Sequence, residues 1–434
     1  MARELVNWGR THRSTPAAWS APSSEDEVAE RVRGAAERGS TVKVLGAGHS
    51  WSAVAMTQGE CMRLDAMQRL VDVDLDAMTV TVDGGMWLWQ LNELLAERGL
   101  ALPILGSIDA QSVAGVVSTG THGSSLRWGN LSTLVTRLRL VDGRGAVHEI
   151  GEGDPRLDGV RVGLGAMGVI TRVTLRVVEA FGLEERTRVV GLDEALESLV
   201  DVANEEEFVK WFWLPHTGRV AEYRYRRVDR ASGPARFARW LDAKLVNGLV
   251  FPTVLALGGA VPSAIPAINR AVRVAYFRPG VRSGRSDHMF NLAMPPVHRE
   301  TEWSVPLEQG PEAARRIARS IEGRGLRVNF IQELRLVRGD SAWLSPAHGR
   351  DSCHVGAYIG HGRDAEPFIT GSSELMQELG ARPHWGKEMR VGPDYLAAVY
   401  PQIEQFLDLR SELDPGRTFD NDFLRRSFGV AADT

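Results

Sequence analysis

Lysine is nearly missing from this 434-residue chain: of 51 basic residues only Lys43, Lys210, Lys244 and Lys387 are lysines. A lysine ammonium changes its protonation readily on burial, so one in an unusual setting stands out. Cysteine is scarcer still. Cys61 and Cys353 provide neither a disulfide framework nor a CxxC knuckle, which suits a reducing cytoplasm. There is no basic excess, with 51 basic against 55 acidic residues and a formal charge of −4, so nothing points to a nucleic-acid partner. The opening MARELVNWGR lacks the apolar core of a secretory signal. At roughly 150 residues per domain the length predicts two to three domains, with a core large enough to need no staple.

One long uncharged run is present. Residues 245–269 (LVNGLVFPTVLALGGAVPSAIPAIN) could span a bilayer by length, but Pro252, Pro262 and Pro266 interrupt helical hydrogen bonding. The expectation is a buried pair of short helices, or a surface that touches a membrane peripherally.

Through residue 180, short strand-like runs alternate with Gly-rich turns. Residues 41–45 (TVKVL) read as a buried strand, and Leu70–Asp74 and Thr79–Asp83 alternate at period two. Residues 86–98 have helical spacing and stop at Gly99, residues 134–150 form a hairpin around Asp142-Gly143, and residues 169–178 form another strand. Beyond about 185 the pattern predicts an antiparallel sheet with strands at 208–214, 221–228, 288–294, 302–305, 327–337 and 354–359. Helices are expected at 311–322, 366–379 and 393–409, and an Arg/Gly-rich connection at 278–286. The fold class is α+β. The domains are read as 1–182, 183–375 and a closing segment 376–434.

Three small-residue clusters suggest a large polar ligand. Gly163-Leu164-Gly165-Ala166-Met167-Gly168 satisfies GxGxxG, but a strand pattern follows it where the dinucleotide fingerprint requires a helix. In VLGAGHSWS (44–52) a strand runs into glycines whose backbone amides can make an anion-binding nest, with Ser50 and Ser52 as further donors. In residues 107–124, small residues and hydroxyls are dense enough to demand close approach of backbone to a ligand. Together the three clusters suit an extended ligand such as a dinucleotide.

GAGHS at 46–50, SVAGVVSTGTHGS at 112–124 and GLGAMGVI at 163–170 resemble the FAD-binding domain of the vanillyl-alcohol-oxidase class. His384-Trp385-Gly386-Lys387 and the closing FDNDFLRR resemble its sugar-lactone oxidase branch, which includes gulonolactone, arabinonolactone and alditol oxidases. The resemblance covers essentially the whole chain. It implies a two-part (PCMH-type) FAD-binding domain, a cap domain on an antiparallel sheet, and a tail returning to the flavin.

It further implies FAD attached covalently through His49, with Gly46, Ala47, Gly48 and Ser50 around the pyrophosphate. Ser112, Gly115, Ser118, Thr119, Gly120, Thr121, His122 and Gly123 would line the flavin and ADP; Gly165, Gly168 and Ile170 would present backbone to the cofactor. Glu333 and Arg335, at i and i+2 on a strand and so on one face, match the family's substrate pocket, as do Lys387 and Ser107. His384, Tyr358 and His354 are weaker candidates, and His384 is also placed with the cofactor. Gly106, just before Ser107, would leave room for dioxygen beside the flavin. No metal is expected, because Cys353, His354 and His361 lack zinc spacing.

The activity implied is oxidation of an aldono-1,4-lactone or sugar alcohol, with O2 reduced to H2O2. Three alternatives stay open: a dehydrogenase passing electrons to a quinone or protein, a flavin-carrying electron-transfer subunit, and a nicotinamide enzyme, which would need a helix after Gly168.

Overall fold

The computed structural model describes residues 3–229 and 248–429. The first part carries four sheets, two of them only two-stranded: Leu5–Val6 with Arg13–Ser14, and Leu100–Ala101 with Val178–Glu179. Ala18–Ser20, Glu60–Met62 and Val42–Val44 form a small parallel sheet in that spatial order. A five-stranded antiparallel sheet runs Val147–Gly151, Val135–Val141, Val169–Arg176, Thr79–Asp83, Leu70–Asp74. The strand Val169–Arg176 directly follows Gly168, so the structure agrees with the rejection of the nicotinamide fingerprint. The helices Leu88–Ala96 and Val113–Thr119 pack on this part, Gly99 and Gly120 following them with left-handed φ of +70° and +69°.

The second part is built on an eight-stranded sheet. Its order is Gly280–Arg285, Gly182–Gly191, Arg219–Val228, Phe208–Leu214, Gln332–Val337, Ser352–Ile359, Arg299–Pro306, Arg382–Pro383. Strand alternation divides the chemistry. Trp211, Leu334, Val355 and Trp303 pack into a core with Leu199, Ile317 and Phe368 from the covering helices. Their strand neighbours Lys210, Phe212, Glu333, Arg335, His354, Tyr358, Glu300 and Glu302 therefore face the other way. One face holds the sheet together and the opposite face carries a dense set of charges.

Several sequence expectations are corrected. Residues 288–294 are not a strand: Ser286–Phe290 is a short helix, because Phe290 turns into the aromatic cluster of Phe181, Phe208 and Tyr225. The 278–286 connection contains the edge strand Gly280–Arg285, paired with Gly182–Thr187. The strand expected over 327–337 begins only at Gln332. The 393–409 helix is two helices, Pro393–Val399 and Ile403–Leu413, because Pro401 cannot continue the first.

The apolar run, described from residue 248, forms helices Phe251–Ala260 and Ile265–Tyr276. The two arms bend by 118°, and no single helix among the described residues is long and apolar enough to cross a membrane. Nor is the pair buried: Leu249, Leu257, Val261, Val274 and Tyr276 are between 45% and 60% exposed.

Candidate active site

Two adjoining cavities meet at His49. The first, about 120 Å³, is lined by Gly46 to Ser50, Ser112, Gly115, Ser118, Thr119, Gly165, Gly168 and Ile170. It is a groove walled by backbone. A Cβ on Gly84 would lie 2.2 Å from the Ile170 carbonyl, so only glycine fits there; one on Gly46 would lie 2.3 Å from Ser112 Oγ and would force that hydroxyl to turn away. Gly84 and Gly85 line this groove and were missed in the sequence, although a Gly-Gly pair directly after the Thr79–Asp83 strand was a usable signal. Gly120 lines neither cavity; it ends a helix, against Val162. Gly123 packs against Leu105 and Ile104 instead of the groove.

His49 borders both cavities and stacks on Trp8, ring centroids 5.5 Å apart. Burial first, and the Lys387 charge second, pull its pKa down to about 4, so the imidazole is neutral at physiological pH. A neutral ring keeps a free nitrogen lone pair, which alkylation requires. The glycine groove and this histidine thus fit a covalently held dinucleotide.

The second cavity, about 580 Å³, is lined by Gly106, Ser107, Thr121, His122, Glu333, Arg335, Tyr358, His384 and Lys387, among others. Its charges form two ion-paired sets. In one, Arg335 Nε lies 2.7 Å from Glu333 Oε1, and Nη2 donates to Glu333 Oε2 and to Ser107 Oγ at 2.8 and 2.7 Å. Tyr358 donates to the same Oε2 at 2.7 Å. Gly356 makes this possible, since a Cβ there would sit 2.7 Å from the Tyr358 ring. Burial alone would lower the Arg335 pKa, but Glu333 and Tyr358 hold it above the usual range.

In the other set, Lys387 Nζ lies 2.5 Å from Glu300 Oε1 and 4.2 Å above the Trp51 ring. Glu302 Oε1 is hydrogen-bonded to His122 Nε2 at 2.6 Å and His354 Nδ1 at 3.0 Å, and the Glu302 amide carbonyl accepts from the His384 amide. Burial, and then the His122 charge, lower the His354 pKa to about 4; His384 falls well below its ordinary value, burial first. His122, Glu302 and His354 place ligand atoms close enough together for a metal, but Glu302 Oε1 is already engaged by both rings. Glu300 and Glu302 were missed in the sequence; an ExE on a strand reads as a solvated face until the Lys387 loop is known to pack over it.

The tail reaches the first groove. Asn421 donates to the carbonyls of Ala53, Val54 and Met56 at 3.3, 3.0 and 2.9 Å, Ser52 Oγ donates to the Trp385 carbonyl, and the Trp51 amide donates to Gly386. Residues 50–56 are therefore fixed by the last part of the sequence.

A glycine-walled groove opening onto a charged cavity defines a flavin-dependent oxidoreductase architecture, and the comparisons agree. An FAD binding domain model matches residues 16–151, and a D-arabinono-1,4-lactone oxidase model matches residues 173–427. L-gulono-1,4-lactone dehydrogenase of Mycobacterium tuberculosis is 34% identical over 98% of both chains. L-gulonolactone oxidase of Bos taurus is 30% identical, again over 98% of both. The fold resembles a solved cholesterol oxidase from B. sterolicum, with a TM-score of 0.84 at 15% identity over 99% of this chain and 97% of that one. The chain belongs to the D-arabinono-1,4-lactone oxidase family and is an FAD-linked oxidoreductase.

Proposed function

We propose that this protein oxidises a carbinol of an aldono-1,4-lactone, or of a related sugar alcohol, using FAD bound covalently through His49, with O2 as acceptor and H2O2 as product. The observation that carries this reading is the convergence of Lys387–Glu300 and Arg335–Glu333–Ser107 on one cavity that also exposes His49 and Gly106. FAD supplies a hydride acceptor at N5. The chain's part is to place the carbinol and to take its hydroxyl proton.

Glu333 Oε2 accepts from Arg335 and Tyr358, and Oε1 lies 2.7 Å from Arg335 Nε without a hydrogen bond, so the carboxylate holds the guanidinium in place by ion pairing. Arg335 and Lys387 present two cations to the substrate's oxygens, where developing alkoxide charge is stabilised. As Lys387 takes the hydroxyl proton it releases one to Glu300 Oε1, so the ammonium is restored and the carboxylate is neutralised. Gly106 lines the adjoining wall, where the acceptor reaches the cavity, although a Cβ there would lie 3.3 Å from the His122 carbonyl and from Thr121 Cγ2, so the glycine itself leaves little space in that direction. Names of relatives support both acceptor types: the mycobacterial protein is a dehydrogenase and the bovine one an oxidase.

The test is anaerobic mixing with gulono- and arabinono-1,4-lactone and with xylitol, following bleaching of the visible flavin band, then admitting O2 and assaying H2O2. Bleaching by a lactone with prompt reoxidation is expected; no bleaching by any of the three overturns the substrate class.

A second acceptor reading rests on the helix pair. Val250, Phe251, Val254, Val272 and Tyr276 form an apolar rim to the large cavity, and the described residues 248–286 hold five arginines and no acidic residue. Such a surface suits an anionic membrane face on the cytoplasmic side and a quinone-type acceptor reaching the cavity from it. Flotation with phosphatidylserine vesicles against phosphatidylcholine vesicles tests the contact. Turnover with a soluble quinone but not with O2 would replace the oxidase reading.

A further inference from the structure

Three lysines lie among the described residues, and two have evident partners. Lys43 donates to the carbonyls of Leu164, Gly165 and Phe419 at 3.2, 3.0 and 3.4 Å, and Lys387 pairs with Glu300. Lys210 differs. It stands in the strand Phe208–Leu214, every residue of which is buried, and it is itself 6% exposed. Its ammonium reaches no hydrogen-bond acceptor or carboxylate of a described residue. It lies instead over three ring faces, 5.2 Å from Phe212, 5.6 Å from Tyr223 and 5.7 Å from Tyr225.

Ring faces attract a cation only weakly beside what the ion loses when it is withdrawn from water. The two carboxylates that act on Lys210 from farther off are spoken for: Glu333 by Arg335 and Tyr358, and Glu185 by Arg282 at 2.7 and 2.8 Å. Buried charges in proteins are paired, so a partner for this one is missing from the side chains.

The space for such a partner exists. A third cavity, about 20 Å³, is lined by Lys210, Arg335, Gly106, Ser107, Phe208 and Tyr225, among others. That is room for one species of water size. A water there would leave the charge uncompensated, and Arg335 on the same wall adds to the positive field. A polyatomic anion does not fit. We propose that this small cavity behind the Gly106–Ser107 wall is an anion site, which takes one chloride-class halide against the Lys210 ammonium.

Gly106, Ser107 and Arg335 line the large cavity as well, so occupancy is transmitted to it through a wall one residue thick. Halide thereby becomes an effector of the oxidoreductase site, a consequence that rests on the flavin reading above.

Bromide separates the alternatives. Crystals of the holoenzyme grown in sodium bromide are expected to show one anomalous peak in contact with Lys210 Nζ, absent in Lys210→Met. In solution, titration with chloride against methanesulfonate at constant ionic strength is expected to give a saturable change in the visible flavin spectrum, its midpoint raised at least about tenfold in Lys210→Met. Density that fits water alone, a bromide peak that persists in Lys210→Met, or binding at crystal concentration only overturns the proposal. If the variant does not fold, the wild-type peak decides by its position. If the peak is present but the spectrum is unmoved, the anion site stands and its coupling to the flavin falls.

Discussion

The two halves of the active site recognise by opposite means. The groove at Gly46, Gly84 and Gly165 is a surface of backbone from which side chains have been removed, so that a ligand meets peptide groups directly. The cavity over the eight-stranded sheet is a surface of long side chains, paired and cross-braced until each has one pose. A missing Cβ tolerates no replacement, whereas an ion pair can be edited one atom at a time. Damage to the groove therefore costs the ligand, and damage to the cavity costs the reaction.

Substitutions can break that comparison. Lys387→Ala removes one of two cations from the reacting end and is expected to slow substrate-driven bleaching of the flavin by about 10²–10³, with flavin content unchanged. Stopped-flow absorbance checks this, and equal loss of flavin and of rate would erase the distinction. His49→Ala should have the converse signature: acid precipitation leaves the colour in the supernatant instead of the pellet, while circular dichroism is that of wild type. Gly46→Ala, whose new Cβ meets Ser112 Oγ, should lower flavin content further still.

The next effect is on stability. His354 has its pKa lowered from 6.5 to about 4, burial first. Below 6.5 the unfolded chain binds a proton that the folded chain refuses, so stability falls as pH drops from about 6.5 towards 4. His354→Gln should flatten that part of a melting-temperature profile, and an unchanged slope would place the acid sensitivity elsewhere. The smallest effect belongs to the exposed side of the helix pair. Leu257→Ser with Val274→Ser, both more than half exposed, should change stability by less than about 0.5 kcal/mol per site, yet reduce flotation with anionic vesicles.

Legibility in the sequence followed the same division. A glycine groove is built from short contiguous runs, and GAGHS, SVAGVVST and GLGAMG mark it even without a fold. Glu333 and Arg335 were legible through the family resemblance, since two charges on one strand face read alone as a solvated surface. Glu300, Glu302 and Lys210 were not, because what gives them meaning is a neighbour brought by sheet order from far along the chain, Lys387 in one case and a cavity behind Ser107 in another. The helix pair was legible as helices, and its exposure as one of two alternatives, because apolar composition alone does not separate a buried pair from a surface one. The short helix at Ser286–Phe290 was read as a strand since His-Met-Phe-Asn-Leu alternates well enough, and only the aromatic cluster it enters decides otherwise.

Asn421 closes a loop of the chain more than 360 residues long when it ties down Ala53, Val54 and Met56. In chain order the GAGHS segment precedes this asparagine by more than 360 residues, so its last anchor exists only once everything between them has been made. The groove is therefore not a property of the FAD-binding region at 16–151 alone, because a distant stretch of the chain completes one of its walls.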